Sequence, residues 1–246
     1  MVLVTSALYL VDLDEGLVPG GEVAVEGEEA HHGVTVKRLA IGESVLLSDG
    51  LGRGFSGEVI SIDKRRFVVR LEAELPTPAP KLAWTVVQAL AKGDRSDLAV
   101  QMATELGARR IVAWQAARSI VRWQGERGDR ALDKWRATAR EAAKQSRRLW
   151  LPEVAFANTA AVARLVAAAD IALILHEEAP IHLAQCALPP SGTGLIVVGP
   201  EGGIAPDEVD TLTAAGGSLV SISDAVLRTS TAAAVALGQL DALARR

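Results

Sequence analysis

Between Leu75 and Pro80 the chain reads L-P-T-P-A-P, three prolines in six residues. Proline lacks an amide proton and fixes φ, so this stretch opposes both a helix and a central strand and stiffens into a linker. The pattern of the chain changes across it. Before it, the short runs Glu22–Glu26, Ser44–Leu47, Gly57–Ile62 and Phe67–Leu71 are separated by Gly and Asp and read as strands, with one helix over Glu28–Leu39. Residues 1–75 are thus expected to form a small β-rich domain and 76–80 the linker. After it, predicted strands at Ala83–Ala89, Arg110–Ala113, Ile171–Leu175, Leu195–Val198 and Ser218–Ser221 alternate with predicted helices. The helices fall at Ser96–Leu106, Ala131–Ser146, Ala160–Ala168, Pro206–Ala215 and Thr231–Ala244. Short apolar strands alternating with amphipathic helices specify a parallel α/β sheet over 81–246.

Nearly half of the 246 residues are hydrophobic (49%), much of that alanine, which suits closely packed helices. No uncharged apolar run approaches the ~18 residues of a membrane-spanning helix. Lys37 is the first basic residue, so the N-terminus lacks the charged region of a secretory signal. Cys186 is the single cysteine and allows no internal disulfide. A cytoplasmic protein with no membrane contact is expected. No metal is expected either, since His176 and His182 offer no ligand spacing and His31 and His32 lie outside the α/β region.

Charge is unevenly spread. Residues 1–75 carry 7 basic and 13 acidic side chains, residues 76–150 carry 15 and 7, and residues 151–246 carry 4 and 10. The middle segment therefore has a net charge of +8 within a chain of net −4. Either a polyanion binds there or a helix presents a solvated basic face. All five tryptophans lie in the same segment: Trp84, Trp114, Trp123, Trp135 and Trp150. Rings among cations suit nucleic acid, where bases stack and phosphates pair. Because tryptophans are mostly buried, one or two at most are expected to face RNA.

Three glycine-bearing or hydroxyl-bearing stretches invite a ligand. G52-R-G-F-S-G57 has dinucleotide spacing, but that fingerprint needs a helix next, and E58-V-I-S-I-D63 alternates like a strand, so a hairpin turn is expected. No phosphate-cradling G-x-x-x-x-G-K-[ST] occurs. G199-P-E-G-G203 has a better context, between a β-branched strand and a helix opening with Pro206, Asp207 and Glu208. It is a plain turn or a ligand cradle at the carboxyl end of a strand. The two acids disfavour phosphate there and suit a neutral or cationic ligand. Ser218–Thr231 is a strand, a loop with Arg228, and hydroxyls placed to cap the next helix, leaving open whether Arg228 is merely solvated.

An ordered set of fragments carries a resemblance. These are E29-A-H-H32 with V36-K-R-L39, S48-D-G50, K92-G-D-R-S-D97, T104-E-L-G107, R118-S119, E141-A-A-K-Q-S-R147, L175-H-E177, V198-G-P-E-G-G203 and V226-L-R-T-S-T-A232. With them the chain resembles the bacterial 16S rRNA uridine N3-methyltransferase family of the SPOUT superfamily. The resemblance implies an N-terminal PUA-like β-barrel, a C-terminal SPOUT α/β domain with a trefoil knot, and a homodimer built on the knot and last helix. It implies S-adenosylmethionine as cofactor, held by Leu175, His176 and Glu177, by Val198, Gly199, Pro200 and Gly203, and by Ile222, Ser223, Ala225 and Leu227. It implies methyl transfer to uridine N3 in 16S rRNA, with Arg228 and Glu201 as catalytic candidates, Glu201 equally suited to holding its loop. Lys37, Arg38, Lys92, Arg95, Arg118, Arg122, Arg147 and Arg148 become RNA-contact candidates. The family's last motif usually reads L-G-P-R-[IV]-L-R-x-E-T-A. Here Ser223, Asp224, Ala225 and Ser230 replace its glycine, proline, first arginine and glutamate. Two alternatives stay open: a ribose 2′-O-methyltransferase of the same superfamily, or a non-catalytic RNA-binding assembly factor.

Overall fold

A computed structural model describes residues 6–77 and 80–245. Pro78 and Ala79 of the proline linker lie outside the described residues. The chain divides into two compact units, one of residues 1–79 with 143–151 and the other of 80–142 with 152–246.

In the first unit, β1 (Leu8–Leu10), β2 (Glu22–Glu26), β3 (Ser44–Ser48), β4 (Gly54–Asp63) and β5 (Arg66–Glu74) form one sheet in the order β1-β3-β4-β5-β2. Only the β1–β3 pair is parallel. The period of two is visible in β2, where Val23 and Val25 are buried between exposed neighbours. The sheet curls over a core of Tyr9, Val45, Leu47, Phe55, Phe67 and Val69. The G-x-G-x-x-G stretch is the hairpin expected, joining β3 to β4 with Ser48 opposite Gly54. The helix expected over Glu28–Leu39 is instead a short α1 (Gly27–His31) running into a π-helical turn over His32–Val36. Gly33 sits there against the Tyr9 and Phe67 rings, where a Cβ would have only 3.0–3.1 Å.

Residues 143–151 pack into this unit, rather than into the continuous 81–246 expected. The Ser48 hydroxyl donates to Leu149 O at 3.0 Å, Gly52 N to the same oxygen at 2.9 Å, and Leu151 N to Gly50 O at 2.8 Å. Lys144 and Glu29 form an ion pair at 3.2 Å with side chains only 10% and 8% exposed. Trp150 lies over Gly52, whose φ is +107°. None of these contacts has a signature in sequence spacing.

The second unit is a six-stranded, wholly parallel sheet in the order β11-β9-β10-β6-β7-β8. Its strands are β6 (Leu82–Ala89), β7 (Arg110–Trp114), β8 (Glu153–Ala157), β9 (Ile171–Leu175), β10 (Gly192–Val198) and β11 (Ser218–Val220). Continuous runs such as Leu195–Val198 are buried on both faces, as a parallel sheet requires. Helices α2 (Arg95–Glu105), α3 (Gly125–Gln145) and α6 (Thr229–Ala244) supply Val100, Trp135, Ala139, Ala233 and Leu237 to one face. Helices α4 (Thr159–Ala168) and α5 (Pro206–Ala214) supply Val162, Val166 and Leu212 to the other. Strands β1 and β8 were not expected; three residues are too few to show a period, and β8 exposes Phe156. All five tryptophans are buried or half-buried. Trp114 and Trp135 are core, and Trp123 lies edge-on to Trp135 and stacked on Phe156.

Replacing Gly52 with alanine sets a Cβ 2.2 Å from the Trp150 ring on a backbone that L-residues rarely adopt. The expected cost is about 3 kcal/mol, read as a lower midpoint in urea unfolding of the full chain.

Candidate active site

The strand order places a topological switch between β6 and β10. From β6 the chain moves outward to β7 and β8, and from β10 it moves the opposite way to β11. In open α/β sheets the crevice outside the carboxyl ends of the strands at such a point receives the ligand. A cavity of about 700 Å³ lies there, within the usual range for small-molecule sites.

Three segments build it. Leu175–Glu178 runs off the end of β9, Val198–Ile204 runs off the end of β10, and Ser221–Thr229 leads from β11 into the start of α6. Every residue assigned above to the cofactor lines this cavity, as do Glu201 and Arg228. So does Val226, as do Glu178 and Thr229, each one residue past the expected loops. Thr229 stands inside the V226–A232 fragment.

The 199–203 loop is a tight turn closed by Gly203 N donating to Pro200 O at 2.9 Å, with Gly203 at φ +72°. At Gly199 a Cβ would lie 2.7 Å from Ile204 Cγ1, so only glycine fits. Glu201 Oε1 accepts from Lys92 N and from Arg95 Nη1, both at 3.2 Å. This carboxylate ties the loop after β10 to the segment after β6. Partial burial pushes its pKa up, but hydrogen bonds from its own backbone, from Lys92 N and from Arg95 outweigh this and hold it below the usual carboxylate value.

Glu208, one of the two acids expected to disfavour phosphate and suit a neutral or cationic ligand, is engaged elsewhere. It is buried and accepts from Ala117 N at 2.9 Å and from the Thr159 hydroxyl at 2.7 Å. Asp207 is exposed and also outside the cavity lining. The acids at the start of α5 therefore do not explain the ligand preference; Glu208 pins the 116–119 turn. Arg122 clamps the same turn, donating to Ala116 O at 3.0 Å and Ala117 O at 2.7 Å. Its guanidinium is thus engaged by backbone carbonyls.

Arg118, carried on that turn, reaches Gly202 O at 3.1 Å and lines the cavity. Arg95, Arg118 and Arg228 come together at one site. Only Arg95 has a carboxylate within ion-pair distance there, so Arg118 and Arg228 remain available to an incoming anion among the described residues. Lys92 joins this group only through its backbone. Lys37, Arg38, Arg147 and Arg148 belong to the first unit. There Arg147 Nε donates to Ser6 O at 2.9 Å, and both Arg38 and Arg147 adopt φ +55°.

The last loop also departs from expectation. Helix α6 begins at Thr229 with Arg228 as its N-cap, and no side chain caps it. The Thr229 hydroxyl instead donates to Gly199 O at 2.7 Å and accepts from Gln88 Nε2 at 2.9 Å. Ser223 has no left-handed φ, so the absence of the family's glycine costs no backbone strain. Its hydroxyl accepts from Ala225 N at 3.1 Å and closes the turn locally. Ser230 is buried at 3% exposure, where the family motif carries a glutamate.

A parallel α/β sheet with three convergent loops over the switch point and a separate β-rich unit fits an RNA methyltransferase domain joined to a PUA domain. The RNA methyltransferase domain family matches residues 77–241, and the RNA methyltransferase PUA domain family matches residues 25–72. The chain is 44% identical over 232 residues to the ribosomal RNA small subunit methyltransferase E of Mycobacterium tuberculosis, covering 92% of this chain and 88% of that one. The Bacillus subtilis protein of the same name is 30% identical, over 88% of both chains. A crystal structure of the Neisseria gonorrhoeae enzyme bound to S-adenosyl methionine superposes with a TM-score of 0.84 at 26% identity, covering 97% of this chain and 98% of that one. The chain belongs to the ribosomal RNA small subunit methyltransferase E family. Among the described residues no group of three or more metal-ligating side chains gathers, and no helix is long and apolar enough to cross a membrane.

Because the Glu201 pKa is lowered on folding, its contribution to stability is full above the ordinary value of 4.5 and fades as pH falls through the lower folded value. Thermal unfolding of Glu201→Gln beside the parent chain reads this out. The difference in midpoint is expected to be constant from pH 8 to about 5 and to vanish below the ordinary carboxylate range.

Proposed function

We propose that this chain transfers a methyl group from S-adenosylmethionine to N3 of a uridine in small-subunit ribosomal RNA. The observation that carries the proposal is the convergence of the 175–178, 198–204 and 221–229 segments on one cavity that Arg118 and Arg228 also line, neither with a carboxylate partner among the described residues. The residues suit the cofactor. Leu175, Val198, Ile222 and Leu227 offer apolar walls to an adenine ring. Bare glycine backbone gives close approach, and Glu177 and Glu178 supply negative charge for a cationic group. When bound, S-adenosylmethionine supplies a methyl group already activated by a sulfonium.

The protein's part is then alignment and charge. Removing the N3 proton of a uracil ring spreads negative charge onto O2 and O4, and a fixed guanidinium stabilises that charge. Arg228 takes this role, because it lines the cavity on a clamped backbone and has no carboxylate partner. Its carbonyl accepts from Thr231 N at 2.8 Å and Ala232 N at 3.1 Å. Glu201, with its carboxylate engaged by Lys92 and Arg95, holds the loop. Arg118, at the cavity and without a carboxylate partner among the described residues, supplies a phosphate contact. Residues 175–183 and 221–228 form the family's trefoil knot, supported by the parallel bridge of His182 to Ser221 and by Gln239 Nε2 donating to Ile222 O at 2.9 Å. The enzyme acts as a cytoplasmic homodimer, with Ala234, Gly238 and Ala242 giving α6 a flank of small side chains that permits close approach.

The test is labelled methyl transfer to small subunits lacking the modification, followed by mapping of the nucleoside. 3-Methyluridine is the expected product; a 2′-O-methyl product or no transfer overturns the reading. Arg228→Ala is expected to abolish transfer while cofactor affinity, measured by calorimetry, stays within about tenfold, a difference of ~1.4 kcal/mol. Retained turnover in that variant removes Arg228 from the mechanism.

A further inference from the structure

Gln88 is the penultimate residue of β6 and faces Val198 across the β6–β10 pair, at the switch point itself. It is 1% exposed, yet nothing in the motif comparison singled it out. Its amide nitrogen donates to the Thr229 hydroxyl at 2.9 Å and to Ala89 O at 3.3 Å, while its Oε1 is buried without a hydrogen-bond partner. Leaving a buried carbonyl unsatisfied is costly, so the amide orientation is dictated by the nitrogen side. The Thr229 hydroxyl, 5% exposed as a residue, uses its proton on Gly199 O at 2.7 Å and a lone pair on Gln88. Both its capacities are directed. The carbonyl of the cofactor loop and the first residue of α6 are therefore joined through one hydroxyl, and Arg228 is the residue immediately before it.

We infer that Gln88 and Thr229 are positioning residues, a buried relay that sets Arg228 and the Gly199 loop in register for methyl transfer. The inference rests on the methyltransferase reading and on Arg228 as its charge-stabilising group. The relay touches neither the reacting atoms nor, at Gln88, the cavity lining. Its effect runs through the spacing between a backbone carbonyl on one loop and the helix start that carries the arginine. A shift of about 1 Å in such a spacing is enough to slow chemistry about a hundredfold.

The experiment compares Thr229→Val, which keeps the shape and loses the hydroxyl, with Thr229→Ser, which keeps the hydroxyl. Single-turnover methyl transfer is measured at saturating S-adenosylmethionine and RNA, beside cofactor affinity by calorimetry and the thermal midpoint. The valine variant is expected to lose at least thirtyfold in rate beyond any loss of affinity, and the serine variant to stay within about threefold of the parent. Gln88→Met breaks the relay from the strand side and carries the same expectation, so a failure of the valine variant to fold leaves the test standing. Equal impairment of the serine and valine variants, or an unchanged saturated rate in Thr229→Val and Gln88→Met, overturns the relay. Full activity of Arg228→Ala instead overturns the assignment on which it rests.

Discussion

The insertion of β10 between β9 and β6 is the constraint from which the site follows. Parallel pairing sets all six strands with their carboxyl ends on one side, and the order in which the chain visits them opens a gap there. Gly199 emerges from β10 beside the residues that leave β6, which is why Glu201 can reach Lys92 and Arg95, and why Gln88 can reach Thr229. A register slip of one residue in β10 would turn the buried run of Leu195–Val198 over and part every one of these contacts.

The positive charge of the middle segment is not a single patch. Arg122 holds a turn by its carbonyls, Lys144 completes a buried ion pair, Arg95 answers Glu201, and Lys134 answers Asp97. Such pairs at the surface contribute little stability, and those that are buried chiefly specify geometry. What remains for a polyanion is a smaller set, with Arg118 and Arg228 at the cavity. Charge counted along a sequence overstates the cation surface on offer whenever arginines bond to backbone oxygens.

Much of the fold was legible from the residues. The period of two before the prolines and the alternation after them carried both fold classes, because each pattern reflects which faces meet a core. The loops that line the cavity were legible because they are contiguous fragments: L175-H-E177, V198-G-P-E-G-G203 and the stretch to Arg228. What escaped depends on contacts between distant positions. Glu208 looked like an acid at a helix start that tunes which ligand the loop prefers, yet its partners are Ala117 and Thr159. Thr229 looked like a cap, yet Gly199 and Gln88 offer its hydroxyl better partners than the helix start does. The π-helical turn at His32–Val36 was hidden because its helical residues differ little in propensity from an ordinary helix.

The inclusion of residues 143–151 in the first unit has a consequence for how the chain is made. At synthesis rates of roughly 5–20 residues per second, the 72 residues between positions 79 and 151 take about 4–14 seconds to emerge. During that interval the β-rich unit lacks Lys144 for Glu29, Leu149 O for Ser48 and Gly52, and the Trp150 ring over the hairpin. The earlier-made half is completed only by a piece of chain delivered after more than a third of the other half has been synthesised. The two units are thus interleaved in time, and an N-terminal fragment that stops at the prolines is an unfinished domain.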